Sequence, residues 1–207
     1  MARAGKNSNL YVPSELVSFT NEETSSVDNI TYQIDDIQKR VWCRFCDITV
    51  LDGGIPTTES FTLNRLVGKV IFDTADTRDI TVTGQYYPMI QLLQAFEFDL
   101  SLTADNQEVP VFTEGWQRRI QGLKDISGSL SRYFIADGLI SGVIDNDEDF
   151  VIRFYSKYDL ASPEDFDFIA WVKVDGLAIA SAVDGVVDED IDFEGTHDAD
   201  GRVVSRQ

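Results

Sequence analysis

The chain has 207 residues, enough for one domain with a buried core and no need of disulfides. It carries 36 acids against 17 Lys and Arg, a net charge of -19, which excludes nucleic-acid binding by counterion release because the chain repels phosphate. Aromatics at 11% exclude a disordered chain, and no apolar run reaches membrane-spanning length.

Met1 to Ser8 is basic and polar with no apolar stretch behind it, so it does not read as a signal peptide. The expectation is a protein made and used without crossing a membrane by that route. Residues 1–207 read as a single domain, with 1–11 as an N-terminal arm and 196–207 as a polar C-terminal tail. Leu10 to Ser18 reads as a first strand or edge. Asn21 to Asp36, rich in Ser, Asn and acids, reads as loop. Val41 to Leu51 carries Trp42, Phe45, Ile48 and Val50 and reads as a core strand.

Cys43 and Cys46 form a lone Cys-x-x-Cys in that strand. A zinc site needs two more ligands, and the only histidine, His197, is far along the chain. A redox pair belongs at a helix N-terminus. Both cysteines therefore read as buried small hydrophobes. Asp52-Gly53-Gly54-Ile55-Pro56 is a turn signal, expected inside a long hairpin or flap between Asp47 and Leu66.

Thr57 to Asp73 and Asp79 to Thr83 read as strands, with Phe61 and Leu63, Val70 and Phe72, and Ile80 and Val82 at alternate positions. Thr74 to Thr77 is the turn between them. Gly84 to Phe96 is the one predicted helix. Pro88 suits a first helical position, and Met89, Leu92, Leu93 and Phe96 make an apolar stripe expected to pack on a sheet. Phe96 to Leu102 switches to period two, and Asp105-Asn106 reads as a turn.

Phe112 to Phe134 reads as two strands meeting at a turn, with Trp116, Arg118 and Ile120 on one face and Gln117, Arg119 and Gln121 on the other. Gly122 and Gly128 interrupt it, which marks a bulge or a close backbone approach. Between Arg118 and Arg132 stand four bases (Arg118, Arg119, Lys124, Arg132) against one acid, Asp125. Leu139 to Ile144 is a short apolar piece between turn signals. Phe150 to Ser156 alternates. Phe166 to Val174, with Trp171, is another strand, Asp175-Gly176 a turn, and Leu177 to Ala182 and Val186 to Phe193 the last strands. Roughly ten short strands with regular turn signals read as a β-sandwich or barrel.

Charge is segregated along the chain. From Val174 to Gly201 there are nine acids and no Lys or Arg. Two readings stay open: a solvated acidic face, or a surface that repels DNA while another pairs with the basic stretch of a neighbouring copy. Asp145 to Asp149 and Asp198-Ala199-Asp200-Gly201 lack the ligand series of a calcium loop and read as exposed turns. His197 sits among loop residues and is discounted for nucleophilic chemistry. No Gly-rich loop opens a helix after a strand. The expectation is a protein that is not an enzyme and takes no cofactor or metal.

The pieces Asp79 to Pro88, then Gly115-Trp116-Gln117-Arg118 and Gly122-Leu123-Lys124-Asp125, then Ser127-Gly128-Ser129-Leu130, then Val174-Asp175-Gly176 and Phe193-Glu194-Gly195 stand in a particular order. That order resembles the major tail tube proteins of tailed bacteriophages over most of the chain. The resemblance implies a mainly β fold of two packed antiparallel sheets flanked by one α-helix, with extended loops or arms. It implies homo-hexameric rings whose inner strands join into one barrel, stacked into a hollow tube that is the conduit for DNA ejection, its bore lined by acids. The implied partners are other copies, a tape-measure protein, a tail terminator and distal tail proteins; DNA passes without specific binding, and no membrane is involved. The implied location is the virion tail, assembled in the host cytoplasm. The tube protein of type VI secretion shares this logic. On this reading Asp52, Gly53, Gly54, Arg118, Arg119, Lys124 and Arg132 are candidate inter-ring or inter-subunit contacts, and Asp188, Glu189, Asp190 and Asp192 candidate bore-facing acids. Two rivals are a soluble β-sandwich ligand-binding module, with Tyr86, Tyr87 or Trp116 lining a groove, and a carboxylate-dependent hydrolase.

Overall fold

The computed structural model describes residues 9–91, 95–109, 118–133, 150–155, 168–181 and 187–206. The strands are β1 (Asn9–Pro13), β2 (Val17–Ser26), β3 (Thr31–Ile34), β4 (Thr49–Asp52), β5 (Ile55–Pro56), β6 (Phe61–Asn64), β7 (Lys69–Phe72) and β8 (Ile80–Tyr86). They continue with β9 (Met89–Gln91), β10 (Ala95–Val109), β11 (Arg118–Tyr133), β12 (Phe150–Tyr155), β13 (Phe168–Ser181), β14 (Val187–Gly195) and β15 (Val204–Arg206). The first sheet runs β10-β11-β14-β13-β12-β1-β9, with β15 also on β13. The second runs β5-β4-β8-β2-β3-β7-β6. All pairings are antiparallel.

Both sheets curl, and each has its own core. In the first, Ile126, Leu130, Phe150, Ile152, Val172, Ile191 and Phe193 pack together. Phe98 on edge strand β10 stacks on Phe154 of β12 at 5.1 Å, so the sheet folds back toward itself. In the second, Trp42 and Tyr32 pack with Val50, Phe72, Ile80 and Val82. A third cluster joins the sheets: Val41, Leu66 and Val67 from the second meet Val151, Ile169 and Trp171 of β12 and β13. Strands β12 and β13 are thus covered on both faces here, which explains why their sequences are nearly continuous apolar runs.

The predicted helix over Gly84–Phe96 is absent. Its described residues are strand on both sides of a corner at Pro88, with β9 paired to β1 through Tyr11↔Gln91, Val12↔Ile90 and Pro13↔Met89. Cross-strand pairing and burial outweigh an apolar spacing that also suits a helix. Residues 92–94 lie outside the described set. No α-helix occurs among the described residues; a 3-10 turn, Ile37–Lys39, is the helical element there.

Other expectations move as well. Asn21–Asp36 is not loop, because β2 and β3 fill most of it; the polar side chains of β2 face water while Phe19 enters the core. Cys43 and Cys46 are disulfide-bonded with their Cα atoms 5.4 Å apart. Residues three apart in a strand lie about 10 Å apart, so this closure forbids the strand expected over Val41–Leu51. Phe45 points outward, 57% exposed, and the strand begins only at Thr49. Asp105-Asn106 and Asp175-Gly176 are not turns. They sit at register irregularities within β10 and β13, where residues of turn type make bulges instead. The expected arm overlaps β1, which pairs with β12 and β9, and the expected tail carries β15, which pairs with β13. Leu139–Ile144 and Asp145–Asp149 lie outside the described residues.

The β2–β3 turn is held by one carboxylate. Asp28 Oδ1 accepts the amides of Thr31 at 2.7 Å and Ile30 at 2.9 Å, and the Ser26 hydroxyl at 3.2 Å. Those donors, the Thr31 amide first, hold the carboxyl below its ordinary value, at about 2. An unfolded Asp titrates near ~3.9. The contribution of the turn to stability is therefore complete above that pH and is lost as pH falls through about 2. A carboxyl-detected NMR titration should give Asp28 a midpoint near 2; a midpoint near ~3.9 would contradict the turn.

Candidate assembly surface

Period-two alternation sorts β14 cleanly. Glu189, Ile191 and Phe193 point into the core, while Asp190, Asp192 and Glu194 are exposed and Asp188 is half-buried. The neighbour β11 is in register with it: Ser127 faces Glu194, Ser129 faces Asp192, Ser131 faces Asp190 and Tyr133 faces Asp188. Beyond β11, edge strand β10 places Ser101 opposite Ser127, Asp99 opposite Ser129 and Glu97 opposite Ser131. On the other side β13 sets Lys173, Gly176 and Ala178 beside Glu194, Asp192 and Asp190.

The result is one ordered face. Two columns of carboxylates, Glu97 and Asp99 on β10 and Asp188, Asp190, Asp192 and Glu194 on β14, flank a column of serines on β11. Adjacent strands lie about 4.8 Å apart and like-facing residues along a strand about 6.7 Å apart. Neighbouring carboxylates within a column thus lie inside the Debye length of about 8 Å at physiological salt, while the two columns, about 9.6 Å apart across β11, are partly screened from each other. The serines separate the columns, and the Ser131 hydroxyl donates to Asp190 Oδ1 at 2.5 Å. Lys173 is the base at the end of the face.

Gly128 is needed for this layout. A Cβ there would lie 2.2 Å from the Asp99 carbonyl and 2.6 Å from the Phe193 ring. The close approach expected of a glycine in this strand is the passage of β10 and the seating of Phe193.

Several candidate residues are not where the sequence suggested. Phe112–Phe134 is not two arms of a hairpin: Arg118 to Tyr133 is one strand, and the residues before and after it lie outside the described set. Arg132 is no subunit contact and Glu189 does not face a bore. They are 1% and 3% exposed and form an ion pair inside the first core. Arg119 stands across from Glu108, Arg118 from Val109 and Lys124 from Ala104 in the β10–β11 ribbon. Asp105 and Glu108 of β10 and Asp125 of β11 lie in the same ribbon as these three bases.

The acidic run after Val174 is dispersed in the same way. Asp198 is buried and its Oδ1 accepts the amides of Arg202 at 2.8 Å and Asp200 at 3.0 Å. Asp200 pairs with Arg65 at 2.9 Å. Arg44 donates to the His197 carbonyl at 2.6 Å, which brings residues 196–200 against the Cys43–Cys46 loop. Among the described residues no group of three His, Cys, Asp or Glu side chains is placed to hold a metal ion. Only Asp188, Asp190 and Asp192 of the proposed bore acids, with Glu194, Glu97 and Asp99, remain on one face. The last two escaped sequence reading because their strand lies 90 residues before β14; period-two alternation in Phe96–Leu102 was the available signal.

The expected long flap is a short hairpin. Gly53 and Gly54 join β4 to β5 with φ of +55° and +79°, positive at both central positions as a tight two-residue hairpin requires. Asp52 Oδ1 accepts the Asp79 amide at 3.1 Å, anchoring the base, and Ile55 is 71% exposed beside the tip.

No family model matches the chain, and no curated protein matches it. Among solved structures it is similar to a chain described as "Tail of empty GTA particle computed with helical refinement, C6 symmetry", at 12% identity and a TM-score of 0.45, covering 58% of this chain and 87% of that one.

The buried pair yields a direct test. Arg132→Ala strands the Glu189 carboxylate without its ion-pair partner and should cost about 3–5 kcal/mol in urea unfolding. Replacement of both by Met and Leu should recover most of that loss. A single variant as stable as the wild type would show that the pair is not buried as described.

Proposed function

We propose that this chain is a structural subunit of a phage-type tail tube, and that the acid and serine face of β10, β11, β14 and β13 lines the bore. The observation that carries the reading is that face. A conduit for DNA must repel phosphate and offer it nothing to hold. Ordered carboxylates interleaved with short hydroxyls do this, and the face has little base to counter them.

The ends of the first sheet support the reading. Among the described residues strand β10 is a 15-residue edge, and β9 ends the sheet on the other side. A long strand edge with unused amides and carbonyls is a template for another chain. Pairing β10 of one copy with the β9 edge of the next extends the curled sheet around an axis, and six copies close a ring in the form the resemblance implies. Rings stacked head to tail use a heterologous contact that propagates. The Gly53-Gly54 hairpin with exposed Ile55 is the element we assign to that contact. The further partners on this reading are a tape-measure protein, a terminator and distal tail proteins, and the place of action is the virion tail. The chain has no catalytic role.

Double charge reversal, Asp190→Lys with Asp192→Lys, should leave assembly intact and lower DNA delivery about tenfold or more, because phosphate then meets bases in the bore. Asp190→Asn with Asp192→Asn should give a smaller loss. Counts of tubes by electron microscopy and of DNA-receiving cells separate assembly from delivery. Normal delivery through tubes built of the Lys variant would overturn the bore assignment.

A further inference from the structure

The Cys43–Cys46 loop is the meeting point of the two sheets and the C-terminal strap, residues 196–206. Six hydrogen bonds tie these parts together. The Arg65 guanidinium donates from Nη1 to the carbonyls of Cys46 at 2.8 Å and Cys43 at 3.0 Å, and from Nε to Asp200 at 2.9 Å. Arg44, inside the loop, donates to the His197 carbonyl at 2.6 Å and to the Thr196 hydroxyl. The Arg44 carbonyl accepts the Ala199 amide at 3.2 Å. Both guanidinium groups are buried. The strap then returns to the first sheet through Trp171 N–H donating to the Val203 carbonyl at 2.9 Å and through β15.

One arginine can hold both cysteine carbonyls and an aspartate only while the loop keeps those carbonyls turned the same way. The covalent link between residues 43 and 46 imposes that shape. We propose that the Cys43–Cys46 disulfide is a redox-sensitive fastener for the C-terminal strap, closed when the sulfurs are bonded and loosened when they are reduced. The inference is independent of the tube reading.

The chemistry is dithiol exchange. Cys43 is buried and Cys46 only partly so, which makes Cys46 the side from which a reagent approaches. A thiolate of an external dithiol attacks Cys46 Sγ and the bond to Cys43 breaks, leaving Cys43 as a thiolate that takes up a proton. The second thiol of the reagent attacks its own sulfur in the mixed disulfide and releases Cys46. Two electrons and two protons enter the protein, and the reagent leaves as a cyclic disulfide. The freed loop no longer turns both carbonyls to Arg65, and the strap loses its hold on the second sheet while β15 keeps its pairing with β13.

The test is hydrogen–deuterium exchange on the full chain, oxidised and after treatment with dithiothreitol, with free thiols counted in each sample. Amides of 196–202 should exchange about tenfold faster in the reduced protein, while amides of Ile126 to Arg132 in β11 stay unchanged. Cys43→Ser with Cys46→Ser should match the reduced protein under oxidising conditions. Equal exchange of the strap in samples with no free thiols and with two would overturn the proposal. So would failure of air-exposed protein to lose both thiols as a monomer.

Discussion

A one-residue slip of β14 against β11 would exchange the two faces of β14. Ile191 and Phe193 would turn to water, and Asp190 and Asp192 would enter the core. Burying even one of those carboxylates costs several kcal/mol. The native register also brings Arg132 to Glu189, and no other register does. Such a pair adds little net stability, because desolvation offsets most of the attraction. Its effect falls on register: any slip leaves two buried charges apart. Everything described for the outer face, its carboxylate columns and its serines, follows from that alignment.

The second constraint is the layering. Strands β12 and β13 are buried on both sides, by the first core and by the loops of the second sheet. The C-terminal strap then crosses from β13 to the Cys43–Cys46 loop. Bonds from Arg44 and Arg65 tie together residues more than 130 positions apart. The acidic run that looks like a single charged surface along the chain is split by these contacts into three fates: Glu189 in the core, Asp198 and Asp200 in the strap, and Asp190, Asp192 and Glu194 on the face.

Alternation made the strands legible. Phe61/Leu63, Val70/Phe72 and Ile80/Val82 stand where period two placed them, while the strand read as alternating from Phe150 is buried on both faces. The helix was misread because Met89, Leu92, Leu93 and Phe96 follow helical spacing, and the pairing of β9 with β1 overrides it. Turn residues inside β10 and β13 were misread because a bulge and a turn use the same residue types. The faces of β14 were only partly read. A count of acids does not say which alternate ones face inward, and it took Arg132, 57 positions earlier, to show that Glu189 does.

The central claim is that the acid and serine face encloses a bore. Electron cryomicroscopy of assemblies grown from the purified chain tests it most directly. The expected result is a hollow tube of stacked rings, with β10 paired to β9 of the neighbouring copy and Asp190, Asp192 and Asp99 turned to the lumen. A tube with that face on its outer wall, or a chain that stays monomeric at every concentration and with tail fragments as seeds, would contradict it.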